Sequence, residues 1–259
     1  MPSKQTYIVI MVFMVVFGLV MFLMLGVPNI RQGNLEATLI VGDNTTWIYK
    51  DQKWGFLRYN TSMEQFNWNE FHVFEDNQDM GDYLLWHDDK WYVFDQNKKA
   101  ITMNGKMVAY QANFEMKVKD FQETKVDDYT FVQQVLQENG ISTSSKFTSI
   151  YKVLIDFDGD SVEEEFYVIS NAFPLDFEPE TTFSIAFMVK DNEIYMLYND
   201  VSSNRGLNGC KPFYHTFIDT NYDGVYEVIL SCGKYSATEQ VDMLYQMIDG
   251  EFKLLISNQ

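Results

Sequence analysis

The chain has 259 residues, and its 37 acidic side chains outnumber its 19 basic ones to give a net charge of −18. This net charge argues against nucleic acid and anionic lipid surfaces as partners, because they carry the same sign of charge. A chain of this length can bury a sizeable core in one or two domains.

An apolar segment of 21 residues, 7–27, contains no charged side chain. As a helix rising about 1.5 Å per residue it covers the ~30 Å hydrocarbon core of a membrane. A cleaved signal peptide is the alternative, but its apolar region is usually about 7–15 residues and ends in a small-residue cleavage site. The sequence therefore predicts an uncleaved single-pass anchor over residues 1–29. Lys4 and the free amine lie on the short side, which favours an extracytoplasmic location for residues 30–259.

Residues 30–126 alternate short runs of aromatic and β-branched residues with Asp, Asn, Gln and Gly breaks. This pattern is typical of β-strands joined by tight turns, enough for about two four-stranded units. Asn104-Gly105 is typical of a two-residue hairpin turn.

All five tryptophans lie in this half of the chain: Trp47, Trp54, Trp68, Trp86 and Trp91. Core packing is one interpretation, because a buried aromatic ring removes a large area from water. An exposed platform for a sugar or a peptide is the other. The sequence leaves both open.

Residues 127–139 predict a helix, which Asp127 or Asp128 caps and Gly140 terminates. With the Ser/Thr-rich segment after it, this helix forms a linker over residues 127–146.

Residues 147–259 contain an internal repeat, in which Asp156 aligns with Asp219 at an offset of 63 residues. Each unit consists of a strand, an acidic loop, a second strand and a further hairpin. Four antiparallel strands of this kind form one blade of a β-propeller. The predicted fold class is therefore all-β with propeller-like blades and one short helix. Two small β domains are the alternative.

Each acidic loop places oxygen ligands at positions one, three, five and nine, with a backbone carbonyl at position seven. Calcium requires six to eight hard oxygens from a tightly curled loop, so this spacing predicts one calcium ion in each loop. Gly224 at position six permits the turn. An acidic turn without metal is the alternative, since Asp, Asn and Gly also favour turns. The predicted ligands are Asp156, Asp158, Asp160, Val162 and Glu164 in the first loop, and Asp219, Asn221, Asp223, Val225 and Glu227 in the second.

These loops resemble the FG-GAP or VCBS-type calcium repeat of integrin-like β-propellers, D-x-D-G-D-x-x-x-E. The match covers Asp156 to Asp160 with Glu164, and Asp219 to Gly224 with Glu227. The resemblance, over about residues 147–258, implies calcium in each loop and a propeller fold. EF-hands are the competing motif, but they need flanking helices and a Glu at position twelve.

Two cysteines, Cys210 and Cys232, lie eleven residues on either side of Asn221. If the second loop is the turn of a hairpin, they face each other across it and predict a disulfide. Two buried free thiols are the alternative.

The sequence singles out no catalytic site. His87-Asp88 resembles the pair of an HD phosphohydrolase but lacks the further histidines, and no G-x-S-x-G nucleophile elbow is present. We therefore expect a membrane-anchored extracytoplasmic binding protein that takes a protein or glycan ligand and is stabilised by calcium. A cell-surface hydrolase acting on glycan or phosphoester, or a structural subunit of a membrane-associated complex, are the alternatives.

Overall fold

The computed structural model describes residues 36–258 except 43–44, 52, 58–62, 113–115, 127–128, 142–148, 172–181, 203–209, 222 and 235–239. All of them belong to one compact unit, Glu36–Gln259. The predicted anchor lies outside the described residues. Among those described, no helix has the length and apolar character needed to span a membrane.

The described part of the chain is all-β, with antiparallel pairing throughout, as the sequence predicted. It contains one α-helix, α1 (Thr130–Glu138), and one 3₁₀ turn, Glu64–Phe66. The strands are β1 (Ala37–Val41), β2 (Thr45–Lys50), β3 (Lys53–Phe56), β4 (Asn69–Glu75), β5 (Gln78–His87), β6 (Trp91–Phe94), β7 (Ala100–Ile101), β8 (Met107–Ala112), β9 (Lys117–Lys119), β10 (Glu123–Lys125), β11 (Ser149–Ile155), β12 (Glu164–Ser170), β13 (Thr182–Lys190), β14 (Glu193–Ser202), β15 (Cys210–Asp219), β16 (Glu227–Lys234), β17 (Gln240–Ile248) and β18 (Glu251–Ser257).

The first sheet has eight strands in the order β3-β2-β1-β8-β4-β5-β6-β7, where the sequence predicted about two units of four. A hydrogen bond across the sheet shows that it curls strongly: Trp91 Nε1 of β6 donates to Thr46 Oγ1 of β2 at 2.9 Å. In a flat sheet five strand spacings would separate these strands by about 24 Å. The curl encloses a core that includes Ile40, Phe71 and Leu85.

Asn104-Gly105 does not form the predicted hairpin turn. The flanking strand β7 pairs with β6, whereas β8 pairs with β1 and β4. The two amides donate instead to Glu75 Oε1. A favourable turn sequence was therefore overridden by long-range strand pairing.

The second sheet has the order β10-β11-β12-β13-β14 and the third the order β18-β17-β16-β15-β9. Each consists of four strands that follow one another in the chain, plus one short edge strand from residues 117–125. None of the three sheets closes on itself.

The three sheets pack face to face, with the third sheet between the first and the second. One face of the third sheet meets the second sheet in a core that includes Phe166, Tyr214 and Phe217. Its other face meets the first sheet through Ile218, Ile229 and neighbouring residues. This stacking brings the loops at corresponding ends of the second and third sheets together.

Helix α1 covers the outer face of the second sheet, where Val132, Val135 and Leu136 are buried. It begins at Thr130, later than predicted. Tyr129 is its N-cap and makes no capping hydrogen bond through its side chain. Gly140 ends the helix as predicted, in the left-handed conformation with φ +74° that glycine adopts without strain.

Candidate metal centre

The first acidic loop, residues 156–164, joins β11 to β12, and the second, residues 219–227, joins β15 to β16. Their hairpins have equivalent registers. Ile155 pairs with Glu164 in the first, and Ile218 pairs with Glu227 in the second. The offset of 63 residues read from the sequence therefore holds in the backbone pairing on both sides of the loops.

Both loops share hydrogen bonds at the same positions. The amide of position two donates to the glutamate at position nine, from Phe157 to Glu164 and from Thr220 to Glu227, each at 2.8 Å. The amide of position seven donates to the aspartate at position five in the same way.

The hydrogen bond from position seven to position five runs from the Val162 amide to Asp160 in the first loop and from the Val225 amide to Asp223 in the second, each at 2.8 Å. Position six is left-handed in both loops, with φ +70° at Ser161 and +87° at Gly224. Ser161 therefore adopts the left-handed conformation that we expected only of glycine at this position.

The first loop brings three predicted ligands together. Carboxylate oxygens of Asp156, Asp158 and Glu164 all lie within 4.8 Å of one another. Oδ1 of Asp156 and Oδ1 of Asp158 are buried and have no hydrogen-bond partner among the described residues. Buried oxygens without a donor are costly, and a hard cation satisfies them, so the donor set of this loop fits calcium.

Lys190 of β13 contacts the same carboxylates, a feature that the sequence did not reveal. Its Nζ lies 2.6 Å from Asp158 Oδ2, 3.2 Å from Asp160 Oδ2 and 3.0 Å from Glu164 Oε1. The hydrogen bond to Asp158 is the largest cause of the raised pKa of Lys190. A second lysine, Lys119, approaches Asp156 to 3.9 Å.

The second loop directs its carboxylates toward its own amides. Asp219 accepts hydrogen bonds from the amides of Asp223 and Gly224 at 3.2 and 3.1 Å. Asn221 donates to Asp223 Oδ2 at 2.9 Å. In the part of the chain that the structure describes, no lysine or arginine makes an ion pair with Asp219, Asp223 or Glu227.

Glu227 is fully buried, and burial is the main cause that raises its pKa to about 8. The nearby charges of Asp223 and Asp219 raise its pKa further, while the hydrogen bonds from Thr220 oppose the shift. Gln246 Nε2 donates to the other carboxylate oxygen, Oε1, at 3.0 Å. A cation beside this carboxylate would favour its charged form.

The two loops lie side by side. The amide of Tyr226 donates to the carbonyl of Phe157 at 3.1 Å. A Cβ built on Gly159 would come within 3.5 Å of the carbonyl oxygen of Gly224. A cleft of about 350 Å³, lined by Tyr49, Trp54, Thr220, Asn221 and Gln246 among others, adjoins the second loop.

Cys210 and Cys232 lie at disulfide distance, with Cα atoms 5.4 Å apart, as predicted. The predicted face-to-face register is wrong, however, because Cys232 pairs with Pro212 and Cys210 with Lys234. The hairpin turns beyond Asn221, and a bulge between Tyr214 and Thr216 shifts the pairing again.

The tryptophans divide between core and surface. Trp47 and Trp91 are buried, whereas Trp68 is 40% exposed. Trp68 packs against Phe94 and Trp86, with ring centroids 5.1 and 6.4 Å away. Trp86 in turn lies 6.3 Å from Tyr92. We call Trp68, Trp86, Tyr92 and Phe94 the aromatic patch.

The aromatic patch occupies the outer face of β5 and β6, where Trp86 pairs with Tyr92, while the alternate residues Leu85 and Val93 are buried inside the sheet. Lys98 Nζ lies 4.5 Å from the centre of the Trp68 ring, a cation–π distance.

No protein-family model, no characterised protein and no solved structure matches the chain.

Proposed function

We propose that this protein is a membrane-anchored extracytoplasmic binding protein, built of propeller-like blades, that takes a protein or glycan ligand and is stabilised by calcium. The aromatic patch is the observation that carries the binding function. Residues 7–27 supply the proposed anchor, which predicts that the chain stays with membranes after alkaline extraction. Release of the intact chain by that treatment would contradict the anchor.

The chemistry of the aromatic patch supports binding. Trp68 has φ +64°, a conformation that costs a bulky residue of the order of 1–3 kcal/mol. The strained backbone holds a large ring partly in solvent, where an aromatic face stacks on a sugar or a side chain. Contacts of this kind dominate the energetics of many interfaces.

Two buried groups with perturbed pKa values give no support to the hydrolase alternative. Such an enzyme needs an accessible acid or base with a perturbed pKa. Glu227 has a raised pKa but is fully buried, and His215, whose pKa is lowered, is 3% exposed. Burial at both positions favours a structural role.

Replacement of the two patch tryptophans tests the binding function. The full chain in detergent would be screened on a glycan array and an immobilised peptide library, beside Trp68→Ala/Trp86→Ala and the control Phe56→Ala. Phe56 is exposed to a similar extent, at 38%, but lies on β3. We expect the double variant to bind the wild-type ligands about 30-fold more weakly, since such anchors contribute about 2 kcal/mol or more. Equal binding by wild type and double variant would contradict the assignment.

Calcium is the proposed stabilising ion. The support is the matched pair of loops, with their equivalent registers and shared hydrogen bonds, and the two buried oxygens of the first loop that have no donor among the described residues. The resemblance to calcium repeats and a propeller arrangement of the sheets remain part of this proposal.

A further inference from the structure

The cleft of about 350 Å³ beside the second acidic loop is lined by residues of both the first and the third sheet. Tyr49 of β2 and Trp54 of β3 pair across the two strands, with their ring centroids 5.1 Å apart. The volume lies within the range of small-molecule pockets, about 300–1,000 Å³. We call this space the Trp54 cleft, and its other lining residues are Lys53, Thr220, Asn221, Gln246 and Leu255.

Several polar groups that line the Trp54 cleft have no partner in the part of the chain that the structure describes. Lys53 makes no ion pair there, and neither the Tyr49 hydroxyl nor Nε1 of Trp54 makes a hydrogen bond. Gln246 donates through Nε2 to Glu227, while its Oε1 accepts no hydrogen bond. None of these atoms is among the buried polar atoms that lack a partner, so solvent and ligands can reach them.

The charges around the Trp54 cleft disfavour an ionic ligand. Asp219 and Asp223 belong to the same loop as Asn221, and the negative charge of Glu227 contributes, after burial, to the raised pKa of Tyr49. The field of these carboxylates opposes an anion. Lys53 brings a positive charge to the cleft, which opposes a cation. A neutral ligand meets neither penalty.

A neutral sugar matches this combination of groups. The apolar face of a sugar ring packs on an aromatic side chain, and its hydroxyls both donate and accept hydrogen bonds. The cleft offers an aromatic pair, donors on Lys53 and Trp54, and an acceptor on Gln246. We propose that the Trp54 cleft is a second ligand site, separate from the aromatic patch, and that it binds a neutral saccharide.

A titration monitored by saturation-transfer difference NMR provides the test. The full chain is held in a detergent without a sugar headgroup, and the probes are cellobiose, lactose, maltose and chitobiose, each at up to about 10 mM. The variants are Trp54→Ala, Trp54→Phe and Lys53→Ala. The control is Trp68→Ala/Trp86→Ala, which removes two indole rings of the aromatic patch and leaves the cleft intact.

We expect wild type to bind at least one probe with a dissociation constant of the order of 1 mM. Trp54→Ala should bind it about tenfold more weakly, because the stacking face is lost, whereas Trp54→Phe should keep most of the affinity. Lys53→Ala should bind it about threefold more weakly, because one hydrogen-bond donor is lost. The control should bind like wild type.

Lys53 is exposed on the edge strand β3, so its replacement tests the site without disturbing a core. Should Trp54→Ala not fold, the result for Lys53→Ala decides the question. Absence of binding by all the probes would overturn the inference, as would wild-type affinity in every variant.

A sugar that is lost only from the control would lie on the aromatic patch. That result would overturn the Trp54 cleft as a sugar site and support the proposed function. Binding that is kept by the control and weakened in Lys53→Ala supports the cleft, whether or not the patch takes a ligand of its own.

Discussion

His215 belongs to a buried polar network between the first and third sheets. Its Nδ1 lies 3.1 Å from Ser231 Oγ, and its Nε2 lies 3.0 Å from the carbonyl oxygen of Met107. Thr45 donates to the carboxylate of Asp242, and Ser231 Oγ lies at hydrogen-bond distance from both Asp242 Oδ1 and His215 Nδ1. The serine stands between histidine and aspartate, whereas in a catalytic triad the histidine stands between the other two, and all of these groups are buried.

Burial is the largest influence on His215 and lowers its pKa, whereas Asp242 acts in the opposite direction. The folded protein therefore keeps the imidazole neutral at a pH where the unfolded chain, with a pKa of about 6.5, takes up a proton. The contribution of His215 to the free energy of unfolding is complete above about pH 6.5. It is lost as the pH falls toward the lowered pKa of the folded state.

Denaturant unfolding of the full chain between pH 7 and pH 5 checks this in wild type and His215→Gln. We expect the variant to be less stable at pH 7, since it loses the network. Its stability should fall less steeply on acidification, by up to about 1.4 kcal/mol per pH unit. Parallel pH profiles would show that the pKa of His215 is the same in the folded and unfolded chains and would contradict this account.

At the residue scale, sequence reasoning located both acidic loops because their ligand spacing is local. It missed Lys190 and Gln246, which reach the loops from a neighbouring strand, 26 and 19 residues from the glutamates they contact. Only the strand register brings these residues together. It also could not separate Trp68 from Trp91, because burial depends on which face of the curled sheet each ring occupies.

At the scale of elements, the hairpin of β15 and β16 shows how small irregularities change a register. The sequence predicted its strands, its loop and its cysteine pair, but it assumed a symmetric turn about Asn221. The structure begins the pairing at Ile218 and Glu227 and adds a bulge near His215. Turn symmetry and bulges depend on tertiary packing, so spacing alone could not fix them.

The disulfide should stabilise this hairpin. It closes a loop with a sequence separation of 22 residues, which corresponds to about 3 kcal/mol in the chain-entropy account. We expect Cys210→Ala/Cys232→Ala to lower the free energy of unfolding by about that amount, as measured by guanidinium denaturation. Mass spectrometry of non-reduced wild type provides the control. Two alkylatable thiols in protein isolated under oxidising conditions would contradict the bridge.

For the whole molecule, the alternating pattern of strands was enough to predict an all-β antiparallel chain. The eight-stranded sheet was not predictable, because it depends on β8 inserting between β1 and β4, far from its neighbours in sequence. The edge strands β9 and β10 were also missed. Each has three residues, and each is held in a strand conformation by pairing with the sheet that it joins.

The side-by-side loops at the end of the second and third sheets concentrate seven carboxylates, Asp156, Asp158, Asp160, Glu164, Asp219, Asp223 and Glu227, with Lys119 and Lys190 as their cations. Such a concentration of like charge opposes folding unless a cation balances it. Calcium bound only by the folded state would therefore contribute directly to the stability of the whole unit.

The effect of calcium on the melting temperature of the full chain in detergent tests the central claim most directly. At about 100 times its dissociation constant the ion adds about 2.7 kcal/mol, a rise of about 5–10 °C for a domain of this size. Asp219→Ala/Asp223→Ala should lose most of this rise, whereas the control Glu64→Ala/Glu251→Ala, which removes two exposed carboxylates outside both loops, should keep it. A melting temperature that is the same in calcium and in chelator would contradict the account and leave the acidic loops as turns alone.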